Sequence, residues 1–335
     1  MDLRKLCKLF MQKKQLMMLI AAFVFLSLPF IITNSYVLHV CITVCIYIVL
    51  TLSLNLVTGY AGQLVLGHAA FYGIGAYAGA LMMLHFHINF FWALVLSALL
   101  TGMSGFLLGL PALRLRGDYL AIVTLGFGEI VRLIFVNWKT VTRGPAGLPG
   151  IPAPELLGVS LGGRTAFYYM ALLLAVCTIF FMTRLINSGI GMAMQTVKHD
   201  EVAAEAIGIK PRKYKIMAFV MASAIAGLMG CFYGAYLSYI SPTAFVYNTS
   251  MTILTMAVLG GLGSIMGSVL GAGLLVVLPE LLRFLNDYRM LIFGALMVFM
   301  MIYKPEGFWG ASHRRRNIYK TNAYGDEGDG DGATS

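Results

Sequence analysis

Ten apolar runs occupy most of this chain, near 16–32, 36–57, 64–84, 90–110, 119–137, 166–186, 215–240, 250–263, 265–283 and 287–303, and polar breaks separate them. A membrane-spanning helix needs about 20 apolar residues. The pattern therefore predicts an all-α integral membrane protein, a polytopic bundle of about ten transmembrane helices. The runs at 250–263 and 287–303 are short, so their ends need burial among other helices, because lipid offers free backbone groups no partner.

The longest polar interruption is Gly189 to Lys215. A helix over about 199–207 would place Val202, Ala203, Ala206 and Ile207 on one side and Lys198, Glu201, Ala204 and Glu205 on the other, an amphipathic arrangement. Gly208 supplies a C-terminal stop, Pro211 prevents continuation, and Lys210, Arg212, Lys213 and Lys215 follow. Two readings fit: a short helix that docks into another protein's groove, or a loop whose charges only set topology.

Charge orients the bundle. The 335 residues are 59% hydrophobic and 11% charged, with a net charge of +10, far below the roughly 25% charged residues of a soluble domain. The cations gather at the N-terminus, at Arg114 and Arg116, in the 189–215 loop and in the tail. By the positive-inside rule that side is cytoplasmic. Ten spans put both ends there, whereas merging 250–263 with 265–283 across Gly260-Gly261-Leu262-Gly263 would send Arg314 to Arg316 outside. The expected organisation is a cytoplasmic N-terminus at 1–15, a single permease domain over 16–303 and a cytoplasmic tail at 304–335. Residues 138–165, rich in Gly and Pro, form a rigid external loop. The cationic N-terminus resembles a signal-peptide layout without a convincing cleavage site, and reads as an uncleaved first span.

Candidate chemistry lies inside the spans. Asn55, Gln63 and His68 sit in apolar surroundings with Gly73, Gly75 and other glycines, a density that favours a broken segment, tolerated only against protein or a water-filled cavity. These residues are candidates for the pathway, with hydrogen-bonded packing the plainer role for Asn55 and His68. Glu129 and Arg132, three apart, share a helix face. They either neutralise each other or line a route or gate. Small residues four apart, Ala222, Ala226, Gly230 and Gly234, then Gly263, Gly267 and Gly271, mark helix contacts within the chain or with a second subunit. Five cysteines and six histidines are scattered without metal-ligand spacing. No G-x-x-x-x-G-K-[ST] loop is present, so ATP hydrolysis and its cofactors belong elsewhere. A stand-alone secondary transporter would need a carboxylate cluster, and a membrane enzyme an acidic or His constellation; neither stands in the sequence.

The runs LNLVTGYAGQLVLGHAAFYGIGAYAGALM, LRGDYLAIVTLGFGEIVRLIFVNW, TRGPAGLPGIP, DEVAAEAIGIKPRKYKIMAFVMASAIAGLMG, GGLGSIMGSVLGAG and FGALMVFMMIYKPEG, in this order, resemble the LivM-type permease of branched-chain amino-acid ABC importers. The resemblance extends from about Leu52 to Gly310. It implies a non-catalytic subunit in a bacterial or archaeal cytoplasmic membrane, with the ten-helix architecture of vitamin and ribose permeases. It also implies partners: a LivH-type second permease, two ATPases that use ATP and Mg, and an external amino-acid-binding protein. Val202 to Gly208, VAAEAIG, is similar to the EAAxxxG coupling segment that contacts the ATPase, with Val202 in place of the leading Glu and acidic residues at Glu201 and Glu205. Glu201, Val202, Ala203, Ala204, Glu205 and Gly208 are thus the implied coupling residues. Relatives of this family also handle urea and other amino acids, which leaves the cargo open at this point.

Overall fold

The structure, a computed structural model, describes residues 34–112, 115, 117–156 and 159–281 and the isolated positions 294, 298, 303 and 307. The expected spans at 16–32 and 287–303, the terminal segments 1–15 and 304–335, and Arg114 with Arg116 lie outside the described residues, those isolated positions apart.

Helices dominate. α1 (Ser35–Asn55) starts on Asn34, whose side chain accepts from the Tyr36 N–H, and runs into a π-helical turn at Leu56–Tyr60. After an extended stretch come α2 (His68–His85), α3 (Phe90–Ala112) and α4 (Asp118–Asn137). Then follow α5 (Arg164–Ile186), α6 (Gly189–His199), α7 (Glu201–Ala206) and α8 (Pro211–Leu237), with α9 (Tyr247–Gly260) and α10 (Ile265–Leu281) last among the described residues. Among the described residues five helical stretches are long and apolar enough to cross a membrane: Ser35–Tyr60, Phe90–Pro111, Asp118–Asn137, Arg164–Ile186 and Pro211–Leu237. The 14 residues of α9 span about 21 Å at 1.5 Å per residue, short of a hydrocarbon core of about 30 Å.

α8 is the central post, packed most extensively on α3 and α2, while α1 packs on α5 and α10. Small residues make these approaches possible. A Cβ on Gly75 of α2 would run into the Gly227 backbone, and one on Gly230 would meet the Tyr72 and Ala76 backbone of α2. Gly267 and Gly271 of α10 likewise press on the Gly260 backbone at the end of α9. Both stripes therefore serve contacts within the chain, with van der Waals packing holding helices that lipid gives little reason to associate. Gly75 faces α8 here and lines no open space, which differs from its expected place on a pathway.

The 138–165 loop carries a helical turn at Lys139–Thr142 and the strands β1 (Leu148–Pro149), β2 (Glu155–Leu156) and β3 (Val159–Ser160). β2 pairs with β3, and β1 pairs antiparallel with β4 (Tyr239–Ile240), Leu148 opposite Ile240. This pairing ties the loop to the end of α8.

Candidate functional site

The polar end of the bundle is an elbow made by α6 and α7. Asp200, at φ −157° and ψ 114°, breaks the helix expected to begin near His199. Its carboxylate accepts from the Val202 N–H at 2.8 Å and the Ala203 N–H at 3.1 Å, a side-chain cap. The Ile209 N–H returns to the Ala204 carbonyl, and Gly208 closes the turn at φ +84°, where a Cβ would be strained. Pro211 opens α8, at a position where its missing N–H costs nothing.

This geometry corrects the expected faces. Ala204 is wholly buried within the chain, so it is unavailable to a partner's groove. The outward surface consists of Val202, Ala203, Glu205, Ala206 and Ile207, with Val202 74% and Ile207 70% exposed. Glu201 is turned inward, its carboxylate 2.5 Å from the Lys215 ammonium. Glu205 is the exposed carboxylate of the segment.

One turn earlier, Lys198 reaches across to the π-helical turn and donates to the Gly59 carbonyl at 2.6 Å; desolvation holds its pKa below the ordinary lysine value. A π turn bonds i to i+5. Gly59 stands in the last turn of this element, where a helix's carbonyls have no intrahelical N–H, and Lys198 supplies the donor. On the other side of that turn Asn55 is fully buried. It donates to the Ser264 carbonyl at 3.0 Å and the Ser268 hydroxyl at 2.6 Å, and accepts from the Gly263 N–H at 2.9 Å. Asn55 thus clamps the α9–α10 turn and lines no cavity, again unlike its expected pathway place.

His68 also has a packing role. Ser53 Oγ lies 2.7 Å from the Leu50 carbonyl and 2.7 Å from His68 Nε2, so the imidazole is hydrogen-bonded within the packed interior. Gln63 is buried, its N–H on the Val57 carbonyl and its Oε1 without a protein partner among the described residues. A buried unpaired oxygen of this kind calls for water.

The start of α2 is pinned to two other helices. The Leu66 N–H donates to Thr124 Oγ1 of α4 at 3.0 Å, and the Ala69 N–H to Ser250 Oγ of α9 at 2.8 Å. Between these junctions lies a narrow cleft of about 10 Å³, room for one water, walled by Leu66, Gly67, Ala69 and Ala70, by Leu125, Gly128 and Glu129, and by Phe245, Val246, Tyr247 and Ser250. Gly73 packs on Phe245, behind one wall of that cleft. At the cleft's edge Arg132 Nε donates to Glu129 Oε2 at 2.8 Å, and the two side chains are 33% and 38% exposed.

Thr124, Ser250, Lys198 and the π turn are the parts that sequence reasoning missed. Thr124 and Ser250 are polar residues inside apolar runs, which is a detectable signal. Nothing local marks Gly59 as the partner of Lys198. Among the described residues no group of His, Cys, Asp and Glu could hold a metal ion.

A multi-span helical bundle with a helix too short to cross, a broken glycine-rich segment and a polar elbow at one end defines a multi-pass membrane protein of permease type. The chain belongs to the family described as branched-chain amino acid transport system / permease component, whose profile matches residues 36–301. It is 41% identical over 318 residues to the high-affinity branched-chain amino acid transport system permease protein LivM of Escherichia coli (strain K12), covering 88% of this chain and 75% of that one. The LivM of Salmonella typhimurium (strain LT2) is 38% identical over 338 residues, covering 94% and 79%. The E. coli permease protein LivH is 24% identical over 286 residues, covering 79% and 91%. No solved structure matches this chain significantly.

Proposed function

We propose that this chain is a permease subunit of an ATP-driven importer of leucine, isoleucine and valine, working beside a LivH-type permease, two ATPases and an external binding protein. The family match over residues 36–301 carries the transport reading. Val202 on α7 and Ile207 just past its end, both exposed, support the coupling reading, since uncovered aliphatic side chains at the polar end of the bundle suit a partner's surface. In this reading the elbow and both termini face the cytoplasm, and ATP and Mg are used by the partner ATPases.

Coupling then has a route. ATP-driven closure of the ATPases displaces α7; the Glu201–Lys215 pair passes that displacement to α8, and Lys198 passes it to the π turn and thence, through Asn55, to the α9–α10 turn. Because α9 and α2 share the Ser250–Ala69 bond, movement of the turn reaches the cleft. This is alternating access driven through a rigid elbow.

The test is labelled leucine uptake into proteoliposomes holding the complete complex, with and without internal ATP and the binding protein. ATP- and binding-protein-dependent uptake, competed by isoleucine and valine, is expected. Uptake by this chain alone without ATP would overturn the mechanism.

A further inference from the structure

We propose that Gly307 is a positioning residue for transport: it fixes the α9–α10 turn at Gly261, so that a displacement arriving at Gly263 rotates α9 about that point. The inference rests on the coupling route set out above and adds its far anchor.

Gly307 follows the apolar run 287–303 by four residues and is buried against the α9–α10 turn. A β-carbon there would stand 2.5 Å from the Gly261 nitrogen, 2.6 Å from its Cα and 2.9 Å from the Leu259 carbonyl oxygen. Its φ of +77° also favours glycine. The turn is thus held at two points. At Gly263 the Asn55 side chain accepts the N–H at 2.9 Å, and a β-carbon on Gly59 would come within 2.5 Å of the same nitrogen. At Gly261, the residue that caps the end of α9, the contact is with Gly307.

The two contacts differ in kind. Gly263 is tied by a side chain at the end of α1, beside the π turn that Lys198 grips. Gly307 meets Gly261 backbone against backbone, with no rotamer to absorb a push, and packed interiors transmit displacement rather than soften it. A push at Gly263 with Gly261 fixed therefore turns α9 about its end at Gly260. Gly263 is two residues from Gly261, at most about 7 Å. Ser250, which holds the Ala69 N–H of α2, lies about 15 Å from Gly260 along the α9 axis. Motion delivered at the turn is thereby enlarged about twofold at the junction with α2.

The experiment uses the complete importer in proteoliposomes and compares wild type with Gly307→Ala and Gly105→Ala. Gly105 of α3 is the overpacking control away from the route, since a β-carbon there would stand 2.0 Å from Ser223 Oγ of α8. Leucine delivered per ATP hydrolysed is expected to fall at least fivefold in Gly307→Ala and to stay within about twofold of wild type in Gly105→Ala, whatever either does to the melting temperature. An unchanged ratio in Gly307→Ala, or an equal fall in both, overturns the proposal and leaves the importer reading intact. A wild-type complex that takes up no leucine overturns both.

Should Gly307→Ala fail to assemble, spin labels decide with Gly307 in place. In a background without native cysteines, Tyr303→Cys is paired with Leu262→Cys or with Thr252→Cys, all three positions at least partly exposed. Between the ATP-free and the vanadate-trapped complex the distance from 303 to 262 is expected to hold and the distance from 303 to 252 to change. Any other pattern overturns the proposal.

Discussion

Asn55 lies buried between the end of α1 and the α9–α10 turn, with both amide hydrogens donated and its oxygen accepting from Gly263. Replacing it with alanine leaves the Gly263 N–H without an acceptor inside a packed interior. Asn55→Ala is expected to destabilise the protein by about 2 kcal/mol, read as a lower melting temperature in detergent; an unchanged melting point would mean the turn is held by packing alone. Lys198 differs, because its bond to Gly59 joins a surface helix to the interior. Lys198→Met keeps the aliphatic stem and removes the ammonium. Leucine delivered per ATP hydrolysed should fall roughly fivefold or more, with folding little changed. A normal ratio would remove Lys198 from the coupling route.

At the scale of the element, α7 is too short to be stable alone, and three devices hold it: the Asp200 cap, the Gly208 turn and the Glu201–Lys215 pair. The helix has an inner and an outer side, which makes two separable predictions. Val202→Asp with Ile207→Asp should reduce co-purification of the ATPases at least tenfold, as loss of an apolar anchor does, while the melting temperature of the permease holds. Ala204→Trp should overpack the inner side at a cost of about 1–3 kcal/mol, exposing 199–210 to proteolysis. If Ala204→Trp left the elbow protease-resistant and only released the ATPases, Ala204 would belong to the outer surface after all.

The whole molecule is a post, α8, with α2 and α3 drawn against it at distances only glycine and serine allow. Around that rigid part lie two breaks, the π turn with the extended stretch before α2, and the α9–α10 turn, joined by the Asn55 hydrogen bonds and by the close approach of Gly59 to Gly263. The molecule's orientation is open to direct measurement: with native cysteines removed, Gly208→Cys should resist an impermeant thiol reagent in intact cells and react after permeabilisation, while Glu155→Cys should react from outside. Labelling of Gly208→Cys in intact cells would invert the orientation.

Much of this was legible in the apolar runs. Six of the expected spans match described helices within a few residues at each end, because a hydrophobic run with breakers is a one-dimensional signal; 64–84 begins as helix only at His68, and 250–263 starts earlier and ends at Gly260. The small-residue stripes were equally visible, but which helix each one meets depends on the three-dimensional arrangement. The same holds for the elbow. Sequence marked Gly208 and Pro211 as punctuation, while the break at Asp200, the inward turn of Ala204 and the engagement of Glu201 by Lys215 followed from contacts with α8 and the π turn. By itself the sequence determined a multi-span helical membrane protein and its family, since burial in lipid and local breakers act residue by residue. Only the tertiary structure decided which polar side chains are used up in holding helices, Asn55 and His68 among them, and which, like Glu129 and Arg132, keep bonding capacity, because that depends on partners distant in the chain.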